Sequence, residues 1–242
     1  MDKLISERLL GPLLPGWQAP PRPRPEVIDG DSVRLERLDP ARHAAAVFEA
    51  VKDDDALWDY MSNGPFRSAE DLQGWMAQAI GSEAVFYAFV DPVSGAAWGY
   101  ASFMRIDAAN GVLEIGNVMI STAWQRSRAA SEALMRMVGW AFAAGYRRIE
   151  WKCNALNAPS RRAARRYGFA FEGVFRNHMI LKGRNRDTAW YGMTDSDWCR
   201  LAPAYADWLD PGNFDVKGRQ RQSLSSLTEP VLLRIGAEIA AN

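Results

Sequence analysis

Gln125, Arg126 and Arg128 stand where a strand pattern ending at Ile120 gives way to a polar turn and then to an amphipathic helix. A helix start carries unpaired backbone N–H groups and the positive end of the helix dipole, so such a junction suits phosphate. The two arginines add charge-assisted donors at that point. Ser127 completes the turn, and the small Ala129, Ala130 and Ser131 would let a bulky ligand approach the first turn. One strand earlier, Glu114 is the only carboxylate in the run Val112–Ile120 and shares a face with Gly116 and Val118 at period two. It is the natural candidate for proton transfer, with a solvent-facing glutamate as the alternative. Further on, Asn157 with Pro159 two residues later makes a good helix cap, and Ser160 follows it.

These residues need elements to hold them. Residues 1–29 contain six prolines and little periodicity, which predicts an extended arm. Alternation of Val33 and Leu35 with charged residues predicts a strand, Pro40 opens a helix through Val51, and a second helix is expected over 68–80 with Leu72, Trp75, Met76 and Ile80 on one face. Strands are expected over 85–90, 98–106 and 112–120, separated by turn chemistry that suits antiparallel hairpins. A long helix over 128–144 stops at Gly145, a strand covers 149–153, and a short helix covers 159–167. Two strands (169–179, 187–193) and helices near 195–209 and 229–240 complete the order. The whole reads as an α+β domain with a mixed, mostly antiparallel sheet of about seven strands flanked by helices.

Composition narrows the function classes. The 242 residues are 48% hydrophobic and 24% charged, the mix of a globular protein. Two cysteines and two histidines without ligand spacing argue against a metal or disulfide framework. No apolar run is long enough to cross a bilayer, and the N-terminus lacks the plan of a signal peptide, so a cytoplasmic protein is expected. The formal net charge of zero conceals an asymmetry: residues 126–187 hold twelve Arg and two Lys against four acids, a local balance of +10. That predicts either a polyanionic ligand or a solvated arginine-rich face. Nucleic acid is disfavoured by the pI near 6.8 and the absence of a binding motif.

The turn resembles the pyrophosphate loop of the GNAT N-acetyltransferase superfamily, Gln/Arg-x-x-Gly-x-Gly/Ala followed by a helix. Gln125 matches the first position and Ala130 the last, while Arg128 replaces a glycine. The downstream block, Asn154-Ala155-Leu156-Asn157-Ala158-Pro159-Ser160, then Tyr167-Gly168-Phe169 and Phe171-Glu172-Gly173, is similar to the branch containing ribosomal-protein alanine and serine N-terminal acetyltransferases. The resemblance covers about 30–197 and divides the chain into an arm (1–29), a GNAT domain (30–197) and a C-terminal helical extension (198–242).

The resemblance implies acetyl-CoA as cosubstrate, no metal, and transfer to a primary amine of a small molecule or peptide by direct attack. It places the cofactor against a splayed strand, with backbone of Val118, Met119 and Ile120 meeting the pantetheine. Gln125, Arg126, Ser127, Arg128, Ala129, Ala130, Ser131, Asn157 and Ser160 join them in the cofactor site. An N–H near Val118 would face the thioester oxygen, a donor worth about 3 kcal/mol, roughly a hundredfold in rate. Glu114 would be the base and Ser160 the group near the sulfur. Many relatives carry a Tyr where this chain has Ala164, and Tyr167 reads as packing. Trp58, Tyr60 and Phe66 would line the acceptor pocket and Asn117 would orient the acceptor, with core packing as the alternative. Trp140, Trp151 and Trp190 read as core. Two other outcomes stay open, a non-catalytic CoA-binding protein and transfer of a larger acyl group such as succinyl. Neither nucleic acid nor membrane is an expected partner, and a homodimer is left open.

Overall fold

A computed structural model describes residues 10–241. Eight strands form one sheet in the order β1-β2-β3-β4-β5-β6-β8-β7. They are β1 (Val27–Asp29), β2 (Arg34–Arg37), β3 (Val85–Val90), β4 (Ala97–Asp107), β5 (Val112–Ile120), β6 (Arg148–Asn154), β7 (Ala170–Leu181) and β8 (Arg184–Thr194). Among the described residues six α-helices accompany them: α1 (Pro40–Val51), α2 (Ala69–Ile80), α3 (Arg128–Ala143), α4 (Ala158–Arg166), α5 (Asp195–Leu209) and α6 (Leu224–Ala241). Every strand pair is antiparallel except β5 with β6, which is parallel.

Local chemistry sets the helix ends. The Asp39 carboxylate accepts from the N–H groups of Ala41 and Arg42 with Pro40 at the first turn, and Ser68 accepts from Asp71. Thr194 and Asp197 form a reciprocal capping box on α5. Gly145, at φ 95°, ends the α3 connection in a conformation that side chains resist.

Two apolar layers flank the sheet. On one face Leu113, Ile115, Ile149, Trp151, Cys153 and Met193 pack with Met137 and Val138 of α3 and Leu201 and Tyr205 of α5. On the other, Phe86, Ala88, Tyr100 and Met119 pack with Val47 of α1 and Leu72 and Met76 of α2. This second cluster ends at β5. The same face of β5, β6 and β8 carries instead the polar set Glu114, Glu150, Lys152 and Trp190, which register places side by side.

Three expectations change. The sheet has eight strands because Val27 and Ile28, assigned to the arm, pair with Glu36 and Leu35 as β1. The arm is also not free of the body: Pro20 and Pro23 are buried, Trp17 donates to the Ala109 carbonyl at 3.1 Å, and the hydroxyls of Tyr146 and Tyr87 donate to Pro21 and Pro25 carbonyls at 3.0 and 2.8 Å. Residues 1–9 of that arm lie outside the described residues. Ile80, expected on the apolar face of α2, is 47% exposed because the helix ends there, and Ala79 is buried instead.

A buried carboxylate ties α3 to the β1–β2 turn. Glu132 is fully buried and accepts from the Asp31 and Ser32 N–H groups at 2.8 Å each, from the Ser32 hydroxyl, and from Arg136 at 2.8 Å. Burial alone would raise its pKa. The bonds from Ser32, Asp31 and Arg136 outweigh that and hold it below the ordinary glutamate value.

Candidate functional site

The parallel pair β5–β6 is hydrogen-bonded only at its start. Val112, Leu113 and Glu114 align with Arg148, Ile149 and Glu150, yet β5 runs on to Ile120 and β6 to Asn154 without a further pair. The strands therefore splay, and the β6-side edge of β5 faces a slot. Gly116, Asn117 and Val118 stay half-buried although they lie in the middle of the sheet. On the other edge, register against β4 slips between Ser102↔Gly116 and Tyr100↔Met119, a bulge centred on Asn117. Asn117 takes φ 51°, a left-handed conformation that asparagine tolerates better than most residues, and its Nδ2 donates to the Ser102 hydroxyl at 2.9 Å.

At the end of β5 the chain turns into α3. The Trp124 and Gln125 N–H groups return to the Ser121 carbonyl, and the Gln125 side chain donates to the Ile120 carbonyl at 3.1 Å. Trp124 stacks on Trp98 with centroids 4.7 Å apart, fixing the loop against β4. Arg126 sits at φ 60° with its side chain exposed. Ser127 caps α3 by accepting from the Ala130 N–H at 3.0 Å. The N–H groups of Arg126, Arg128 and Ala129 have no partner among the described residues. That is a nest of free donors at a helix start, open to an anion.

Several loop side chains are committed elsewhere. Arg128, read as a phosphate contact, turns away: its Nη2 donates to the Leu209 carbonyl at 2.7 Å and its guanidinium lies over the Phe214 ring. Only its backbone faces the nest. Ser131 is buried, donating to the Ser127 carbonyl and accepting from Arg166, because the helix closes over it. Gln125 closes the turn with its own amide.

Glu114 is 4% exposed, not solvent-facing. Its Oε2 accepts from Arg105 at 2.8 Å and pairs with Lys152 at 3.1 Å. Lys152 also pairs with Glu150 at 2.6 Å and lies 3.8 Å from the Trp190 centroid. Through Glu150 the chain of charges continues to Arg148 and Glu172. Alternating ions thus cross from β4 to β7 on the open face. Trp190, expected in the core, is half-buried here beneath Lys152 and against Phe175.

Opposite β5, at the end of β6, the Ser160 hydroxyl accepts from Trp151 Nε1 at 3.0 Å, and Asn157 caps α4 by accepting from the Ser160 N–H. Burial pushes the neighbouring Cys153 thiol up, opposed by a hydrogen bond with Ser160. Tyr167, read as packing, is buried, and so is Ala164. Tyr60 is exposed and donates to the Leu156 carbonyl at 3.3 Å, bridging the segment after α1 to the α4 start. Trp58 is 2% exposed and packs edge-on against half-buried Phe66, so it belongs to the core and not to an accessible pocket wall. Lys182, at the β7–β8 turn, donates to the carbonyls of Trp58, Asn63 and Gly64 and pins this segment.

The sequence did not single out Arg105 or Lys152. The alternation of Glu150 and Lys152 against Ile149 and Trp151 carried a signal for Lys152. None existed for Arg105, because a local irregularity at φ 48° sets its direction. Among the described residues no group of three or more His, Cys, Asp or Glu is arranged to hold a metal, and no helix is long and apolar enough to cross a membrane.

Comparisons with known proteins agree with this architecture. A family model described as an acetyltransferase (GNAT) domain matches residues 32–170. A GCN5-related N-acetyltransferase from Brucella melitensis is 41% identical with a TM-score of 0.86, the match covering 89% of this chain and all of that one. A probable acetyltransferase of the GNAT family from Chromobacterium violaceum is 38% identical with a TM-score of 0.76, covering 79% and 98%. A structure described as a ribosomal-protein-serine acetyltransferase from Vibrio cholerae shares the fold at 16% identity and a TM-score of 0.61, covering 69% and 97%. None of the curated proteins compared with the chain matches it.

Proposed function

The chain belongs to the GNAT acetyltransferases, and from that premise we propose that it transfers the acetyl group of acetyl-CoA to a primary amine by direct attack. The observation that carries the reading is the slot: β5 loses its ladder to β6 after Glu114, and the strand ends at a helix start with three unpaired N–H groups. An open strand edge suits an amide-bearing arm, and the nest suits a diphosphate. Arg126 adds an exposed cation beside it, and Arg128 leaves the nest clear by pointing at Leu209. When bound, the cosubstrate supplies an activated acetyl thioester.

The remaining roles fall to the chain's own residues. The Asn117 bulge turns the backbone around Val118 toward the slot, where its N–H can polarise a carbonyl oxygen. Met119 and Ile120 continue the same edge. An amine must be uncharged to attack; an α-amino group has a pKa of about 8 and a lysine about 10.4, so a base assists. Glu114 fills that role, with Arg105 and Lys152 anchoring one oxygen and fixing its direction. Ser160 stands across the slot to meet the sulfur. Tyr60 and Asn117 border the side from which the amine enters.

The proposal is tested by titrating purified protein with acetyl-CoA in a calorimeter and by screening primary amines with a free-thiol readout. Binding together with amine-dependent thiol release is the expected result. Binding without turnover on any amine would favour a CoA-binding protein, and faster turnover with succinyl-CoA would favour the larger donor.

A further inference from the structure

Among the described residues, Arg186 is a half-buried cation that the fold holds by only one of its nitrogens. Arg186 lies on β8 and shares the open face with Thr188 and Trp190 at period two. Thr188 pairs with Asn154, the last residue of β6, so Arg186 stands just past the end of that strand, where the slot opens. Its Nε donates to the Thr188 hydroxyl at 3.2 Å. Thr188 is 1% exposed, and its oxygen also meets His178 Nδ1 at 3.0 Å, so the anchor is rigid.

The other guanidinium N–H groups of Arg186 have no partner among the described residues, and neither Nη1 nor Nη2 is sealed from solvent. The side chain is nevertheless half-buried. Burial pulls its pKa down, opposed by the Cys153 thiol and the Glu114 carboxylate and reinforced by Arg105. Glu114 is already bonded to Arg105 and Lys152, and Glu150 to Lys152 and Arg148. Arg186 is therefore a half-buried cation with no ion-pair partner among the described residues, an unfavourable arrangement that a ligand can relieve. A planar fork of free donors matches the two oxygens of a carboxylate or phosphate.

We propose that Arg186 is a specificity residue that pairs with an anionic oxyacid group, carboxylate or phosphate, carried by the amine acceptor. This rests on the transferase reading and narrows it from any primary amine to acidic ones. Four acceptor probes in two pairs test it: alanine against alaninamide, and ethanolamine phosphate against ethanolamine. Each is assayed by thiol release with wild type, Arg186→Gln and Arg186→Lys, alongside acetyl-CoA affinity and melting temperature.

The expected result is a wild-type preference for at least one anionic member. Arg186→Gln should raise KM for that member by about tenfold to a hundredfold, the scale of a lost charge-assisted bond. KM for its neutral partner and the affinity for acetyl-CoA should stay unchanged, and Arg186→Lys should recover part of the loss. Which pair responds tells carboxylate from phosphate. A wild type without preference, or a preference that survives Arg186→Gln, overturns the inference while leaving amine acetylation standing. A wild type that binds acetyl-CoA but acetylates none of the four or of a wider amine panel sinks the transferase reading, and the inference with it.

Discussion

Arg128 and Phe214 stack, the guanidinium carbon lying 4.6 Å from the ring centroid, and this contact joins the first residue of α3 to the segment after α5. Arg128 thereby anchors the segment after α5 to the turn that precedes α3. Truncating Arg128→Ala removes the stack and the bond to Leu209, and should destabilise the protein by about 1–2 kcal/mol. Arg126→Ala should behave oppositely, leaving the melting temperature alone and weakening acetyl-CoA about tenfold, since its side chain is exposed and free for phosphate. Thermal melts and calorimetric titration of the two variants separate the roles.

Glu114→Gln should lower kcat by about a hundredfold or more, the lower end of what a lost base costs, with acetyl-CoA affinity unchanged. The substitution also strands Arg105 and leaves Lys152 with Glu150 alone, so stability must be followed. The double variant Glu114→Gln, Arg105→Met removes the stranded cation and rebalances the charges. It should recover melting temperature and not turnover. Recovery of turnover would mean that Glu114 serves only the ion network.

Ser160→Ala should cost less than tenfold in kcat, because a CoA thiol, about as acidic as cysteine, leaves readily without an acid. The same change orphans Trp151 Nε1 and should reduce stability by about 1–2 kcal/mol. Single-turnover rates and urea melts measure the two effects independently.

The depressed pKa of Glu132 makes part of the stability pH-dependent. Because the folded value lies below the unfolded one, the contribution is complete above the ordinary glutamate pKa and is lost as pH falls through the folded value. Glu132→Gln should therefore lower stability by about 2–4 kcal/mol at neutral pH and flatten the acid loss below about pH 4.5. Denaturant melts from pH 3 to 7 (roughly the window set by these values) would show the two curves converging toward acid.

The elements were legible because apolar period and turn chemistry agreed along most of the chain: β3, β5 and α5 fall where alternation and caps put them. Residues 27–29 were not, since three residues carry too little period to separate a strand from a proline-rich arm. In the site, the turn and helix start over 125–131 could be read because they are local. The commitments of Arg128 and Lys152 could not. Leu209, Phe214 and Glu114 are distant in sequence from them, and no local pattern encodes such partners.

The early end of the β5–β6 ladder has a mechanical side. The eight strands behave as two ribbons, β1–β5 and β6–β8, hinged at residues 112–114 and 148–150 like the arms of tweezers. Away from the hinge, among the described residues, packed helices and tethers such as Tyr60 to Leu156 and Lys182 to Trp58 hold the arms at their spacing. A molecule lying between them would act as a ninth, non-peptide strand that welds the ribbons together. Amide exchange in β5 and β6 beyond the hinge therefore reports directly on occupancy.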